Sequence, residues 1–185
     1  MAREFLQQNI KRDLKTEKVL GKQLPFSLDA EKAVLGALLL NDEYIPRVAE
    51  VLLSEDFYQI SHQKIFQAIL NIHNQQKRLD IVTLKDELEK NGDLELVGGV
   101  VYLVSLQEDI PAMGLIDQHA GIIKDKAILR ELISSASDII STCYTQKDQD
   151  IKSVVDEAEK TIFQISDKRT SQSFVQLNIW LKKTF

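Results

Sequence analysis

Three histidines, His62, His73 and His119, are the side chains best suited to ligating a metal or moving a proton, and their spacing serves neither task. No pair stands at HxxxH or beside an HxxE, the separations that put zinc ligands on one helix face. His62 follows a serine suited to cap a helix, and His73 sits on an apolar stripe, so capping and packing are the roles their neighbours support. Nucleotide chemistry is no better served. Gly98-Gly99 has no Lys-Ser or Lys-Thr after it, and no GxGxxG occurs; Gly21-Lys22 leads into Gln23, with no glycine five residues earlier. A phosphate cradle needs glycine-rich backbone, then a lysine and a hydroxyl for Mg²⁺. No catalytic, cofactor or metal site is expected in this chain.

The remaining charged groups read as surface. DELEK and DEAEK place carboxylates three and four residues from lysines, as exposed helices do. Lys124, Lys126 and Arg130 alternate with Asp125 and Glu131, which predicts a solvated rim. Aromatic residues are 6% of the chain and scattered, so no base-stacking platform is expected. The lone cysteine, Cys143, excludes an internal disulfide, and its place on an apolar stripe predicts a small core residue.

Composition points to helix. Among 185 residues, 44% are hydrophobic, yet seven Gly and three Pro are too few for the turns of an all-β protein. A net charge of −5 argues against a domain built mainly to grip phosphates. No apolar run approaches the roughly 20 residues of a membrane span. The start, MAREFLQQNIKRDLKTEKVLGKQ, carries Glu4, Asp13 and Glu17 and lacks the apolar core of a secretory signal. Use in a reducing compartment, without a membrane partner, is expected.

The elements follow in order. Residues 1–23 form a charged leader. Ser27 is placed to cap SLDAEKAVLGALLLND, with Asp29 in the first turn and Ala30, Ala33, Val34, Ala37 and Leu38 on one face. A second helix is expected from Ile45 to Leu53, with Pro46 in its first turn. Ser61 is expected to cap HQKIFQAILNIHNQQ, with Ile65, Phe66, Ile69, Leu70 and His73 facing the core. Thr83 and Asp86 resemble a capping box for LKDELEK, which should stop at Asn91-Gly92. VVYLVSL could alone be a buried strand; it is read as helix because no other segment offers a strand to pair with.

A long helix then spans about Leu115 to Tyr144, a turn capped by Asp148 or Asp150 follows, and a helix returns through Ile151, Val154, Val155, Ala158, Ile162 and Ile165. SDKRTSQS reads as a polar linker, and FVQLNIWLKKTF as a short amphipathic helix. The expected fold is therefore all-α: a compact helical bundle (24–114), a long antiparallel helical hairpin (115–167), a linker (168–173) and a linker helix (174–185). The long helix has an excess of apolar residues. Ile122, Leu129, Ala136 and Cys143 repeat every seven positions with Ile133 and Ile140 between them, while Ile116, Ala120, Ile123, Ala127, Leu132 and Ile139 form a second stripe. One partner helix cannot cover both, and an uncovered patch of that kind marks an interface.

LPFSLDAEKAVLGALLL, HQKIFQAI, DIVTLKDELEKNGDLELVGGVVYLVSL, IIKDKAILRELISSASDI and DEAEKTIF occur in that order. Together, over residues 24–185, they resemble the amino-terminal domain of replicative DNA helicases of the DnaB family. The resemblance implies that the hairpins of two subunits pack together, through Ile122, Leu129, Ile133, Ala136, Ile140, Val154, Val155 and Ile162. It implies a hexamer whose amino-terminal domains form a collar above the motor ring, where primase docks and a helicase loader could act. It also implies that the last helix, through Phe174, Leu177, Trp180 and Leu181, leans on a neighbouring motor domain. ATP and Mg²⁺ would belong to that motor domain, of RecA type, and DNA would be reached only through the full ring. The chain stops at the linker helix, so a fragment, a split gene product or a separately encoded piece is expected. The compartment implied is the bacterial cytoplasm or an organelle such as a plastid. His119 stands where tyrosine is frequent and Gly114 where asparagine is common. Gly121 interrupts the long helix, at about 1 kcal/mol against alanine. Two rival readings stay open: a hairpin dimerisation module of unrelated function, and a DNA-binding regulator. The regulator lacks a short helix with a basic reading face, and a salt titration of DNA binding separates it.

Overall fold

The computed structural model describes residues 21–108, 115–145 and 150–184, with side chains as far as residue 167. Most of the leader, Gly114, Asp148 and the side chains of Phe174, Leu177, Trp180 and Leu181 lie outside the described residues. Seven α-helices make up the described chain, with no strand among the described residues: α1 (Leu28–Leu40), α2 (Ile45–Ala49), α3 (Ile60–Asn74), α4 (Ile81–Asn91), α5 (Gly99–Ser105), α6 (Ile116–Thr145) and α7 (Ile151–Thr184).

Local chemistry explains most boundaries. The Ser27 hydroxyl accepts from the Ala30 amide at 3.4 Å and starts α1. α2 stops at Ala49, short of the expected Leu53. There the Asp56 carboxylate takes the Leu53 amide at 2.7 Å, so a side chain wins a donor that would have extended the helix. α3 begins at Ile60, so Ser61 lies inside the first turn and does not cap it; its buried hydroxyl has no hydrogen-bond partner. The capping box of α4 stands three residues earlier than expected. Asp80 caps, accepting from the Thr83 amide at 2.7 Å, and the Thr83 hydroxyl accepts from the Asp80 amide at 2.9 Å. The Thr83 amide, and the Thr83 hydroxyl at 3.0 Å, both donate to the Asp80 carboxylate and hold it below its ordinary value. Gly92, at φ 71°, ends α4 in the left-handed conformation that glycine adopts without strain. VVYLVSL is helical within α5.

The chain divides into two compact units: residues 26–127, and residues 1–25 together with 128–185. In the first, α1 is buried along almost its whole length. Val34, Leu35 and Leu38 meet Ile45, Phe57, Ile65, Phe66, Ile69, Leu84, Leu88 and Leu103 in one apolar cluster, which Ile116, Ala120 and Ile123 of α6 join. His73, expected on the core face of α3, is exposed, and Ile72 is the residue buried in that turn.

The second unit holds the rest of α6 and α7, the helical hairpin. Asp150 caps α7 through the Lys152 amide. The backbone of α7 is helical without interruption to Thr184, so residues 168–173 are not a break. SDKRTSQS contains neither Gly nor Pro, and its residues cost a helix only tenths of a kcal/mol each.

Candidate functional site

On α6 the second stripe goes inward at its start: Ile116, Ala120 and Ile123 are buried. Its later members, Ala127 and Ile139, are half-buried, and Leu132 is exposed. The seven-residue stripe stays outside. Leu129 is 44% exposed, Ile140 54%, Ala136 is exposed and Ile133 half-buried. Ile122, in the part of α6 that belongs to the globular unit, is exposed as well. Cys143 lies on this outer line and is exposed, not the small core residue its neighbours suggested. A helix turns 100° per residue, so positions 129, 133, 136, 140 and 143 recur on one face. No charged residue stands among them.

The single stripe expected on α7 splits in two. Ile165 is buried, and Val154, Ala158 and Thr161 are half-buried on its side of the helix. Val155 and Ile162, one position on from Val154 and Thr161, are 49% and 53% exposed, and Ile151 and Phe163 are exposed too. The hairpin thus carries an outward apolar line on each of its helices. Exposed apolar contact surface in such rows is what a protein partner covers.

Spacing alone did not reveal the most elaborate polar site, which is internal. Glu31 of α1, only 1% exposed, accepts from the Tyr58 amide at 2.7 Å and the Gln59 amide at 3.3 Å. Its other contact is His62 Nδ1, at 2.6 Å, while His62 Nε2 lies 2.6 Å from the Tyr102 hydroxyl. Burial, then the Glu31 carboxylate, raises the Tyr102 phenol above its ordinary value. The phenol therefore keeps its proton, and because the Glu31 carboxylate only accepts, Nδ1–H is the donor to it. Glu31 serves the entry of α3 from another helix, which is why Ser61 is not needed there.

Two cations of α6 are also structural. Lys124 pairs with Asp56 at 2.8 Å, both largely buried, and the Arg130 guanidinium donates to the Pro25 carbonyl at 2.9 Å. Neither belongs to a solvated rim. Among the described residues no cluster of His, Cys, Asp or Glu could hold a metal ion, and no helix is long and apolar enough to cross a membrane.

Residues 23–125 match the family model described as DnaB-like helicase N terminal domain. The replicative DNA helicase DnaB of Pasteurella multocida (strain Pm70) is 39% identical over 155 residues, covering 84% of this chain and 33% of that protein. The replicative DNA helicase DnaC of Bacillus subtilis (strain 168) is 36% identical over 161 residues, covering 87% of this chain and 35% of that protein. The chain thus spans about a third of the length of these curated relatives. The crystal structure of the N-terminal domain of DnaB helicase from Mycobacterium tuberculosis superposes with a TM-score of 0.72 at 34% identity, over 77% of this chain and 99% of that one. A DnaB-like replicative helicase, solved in a study of its interactions with primase, gives a TM-score of 0.62 at 23% identity, over 77% of this chain and 31% of that one, a likeness of fold.

Proposed function

The chain belongs to the family of DnaB-like helicase N-terminal domains, and on that premise we propose that it is the assembly and partner-docking domain of a replicative DNA helicase. The outward apolar line on α6 and α7 is the observation that carries this reading. Two hairpins meeting through Leu129, Ile133, Ala136, Ile140, Val155 and Ile162 would cover it, while Val154 turns to the Ile165 side of α7. An isologous contact of that sort makes a dimer, and dimers repeated around a ring make the hexameric collar.

In this reading the chain has no catalysis of its own; ATP and Mg²⁺ act in a motor domain that follows the last helix. That helix, with Phe174, Leu177, Trp180 and Leu181, would dock on the motor domain. A primase is the partner proposed for the collar, since the structural neighbour of similar fold was solved for its interactions with one. A loader is a further candidate partner, and the bacterial cytoplasm is the proposed compartment.

Sedimentation velocity across micromolar concentrations tests the association. The wild-type chain should form dimers, and Leu129→Glu should weaken them by about 3 kcal/mol, because the interface would bury an unpaired charge. Leu129 is exposed in the single chain, so circular dichroism should show the variant folded. A wild-type chain that stays monomeric at high micromolar concentration would refute the reading.

A further inference from the structure

We propose that the leader, residues 1–20, docks on the hairpin as a third helix, along the strip of α6 that runs through Glu131, Ser135, Asp138 and Thr142. The burial on α6 calls for a cover there. α7 offers α6 one inward stripe: Val154, Ala158, Thr161 and Ile165. On α6, Ser134 and Ser135 are each only 5% exposed, although successive helical residues point about 100° apart. α7 closes one side of that arc, and the other side needs a second neighbour. The outward line of Leu129, Ala136 and Ile140 lies on a third face, which stays exposed.

The path of the chain argues for the occupant. Residues 1–25 are the remaining members of the compact unit that holds the hairpin. The Arg130 guanidinium donates to the Pro25 carbonyl at 2.9 Å, and Leu24 is only 3% exposed. The leader is therefore joined to the fold one residue along α6 from Glu131. Twenty residues of helix would measure about 30 Å, enough to line the roughly 22 Å of α6 beyond Arg130.

The two strips also match in spacing and in sign. Glu131, Ser135, Asp138 and Thr142 follow at four, three and four residues, as one face of a helix does, and neither Glu131 nor Asp138 is without a partner. In the leader, Lys11, Lys15, Lys18 and Lys22 keep the same spacing, beside Leu6, Ile10 and Leu14 at every fourth residue. A helical leader would set a row of cations against the two carboxylates. Its apolar row would lie beside them, against the half-buried Ile128 and Ile139 at the edge of the strip.

Thiol labelling of the full chain with a maleimide, at submicromolar concentration so that hairpins stay unpaired, provides the test. In a Cys143→Ser background, Ser135→Cys should react at least tenfold more slowly than the exposed Cys143 of the wild-type chain. Leu6→Asp with Ile10→Asp and Leu14→Asp should raise the rate at position 135 at least tenfold. Ile165→Cys, on the inward stripe of α7, should stay slow in the same leader variant. Lys11→Glu with Lys15→Glu and Lys18→Glu should repeat the release without touching the apolar row. Adding Glu131→Lys with Asp138→Lys to that variant should restore protection. Fast labelling at position 135 with the native leader overturns the proposal, as does protection that survives both leader variants. Release at position 165 together with position 135 also overturns it, since the hairpin itself would then have opened.

Discussion

Glu31 is held by three donors from α3 and the segment leading into it. A buried carboxylate is tolerable because those donors replace water; the same low-dielectric setting makes each bond expensive to lose. Glu31→Gln puts an amide N–H₂ where donors already converge. We expect a loss of about 3 kcal/mol in urea unfolding, with the helical circular dichroism of the native state retained. A loss below about 1 kcal/mol would mean that water takes over the two amides. In sequence, Glu31 looks like a first-turn acidic residue on an amphipathic helix. Its partners lie 27 to 31 residues away, and only the packing of α1 on α3 brings them together. The roles of Lys124 and Arg130 are hidden for the same reason: a charge pattern on one helix says nothing of an acceptor 68 or 105 residues distant.

Helix ends were legible where the cap is local. Ser27 and Gly92 act within a few residues of themselves, and spacing located them; for α7 it left Asp148 and Asp150 open, and Asp150 caps. Where two caps compete, spacing chose wrongly: Thr83 looked like the cap of α4, but Asp80 takes that place and Thr83 becomes its third residue. Asp80→Ala should cost about 1 kcal/mol, as cap removal generally does. The pH dependence has a definite sign. The folded carboxyl lies below its unfolded value, so its contribution is complete above that unfolded value and fades as pH falls through the folded one. Thermal melts of wild type and Asp80→Ala should therefore converge on acidification. A gap that stays constant down to pH 2 would mean that the protonated carboxyl caps as well as the charged one. The hairpin stripes were legible as two faces, because heptad spacing is a property of one helix. Which α7 residues point inward was not, since Val154 and Val155 are neighbours and the choice depends on how the helix is rotated in its unit.

At the scale of the whole molecule, two apolar lines on the hairpin and an unbroken α7 set what the chain can join. Trp180 stands on that helix, and its side chain reports what the far end meets. In the isolated chain we expect red-shifted emission that iodide quenches readily; adding the matching motor domain should blue-shift and protect it. Blue-shifted, unquenchable emission without the motor domain would count against docking there. A continuous α7 of 34 residues, about 51 Å at 1.5 Å each, has a further mechanical consequence. A flexible tether fixes only how far away its end can be, whereas a rod of this kind also fixes the compass bearing of that end. Seven residues inserted within 168–173 add nearly two whole turns and leave the bearing within about 20°, whereas five leave it about 140° away. The seven-residue insertion should keep the motor-induced blue shift of Trp180 and the five-residue insertion should lose it. Loss in both would show that reach, and not angular phase, is what the helix transmits.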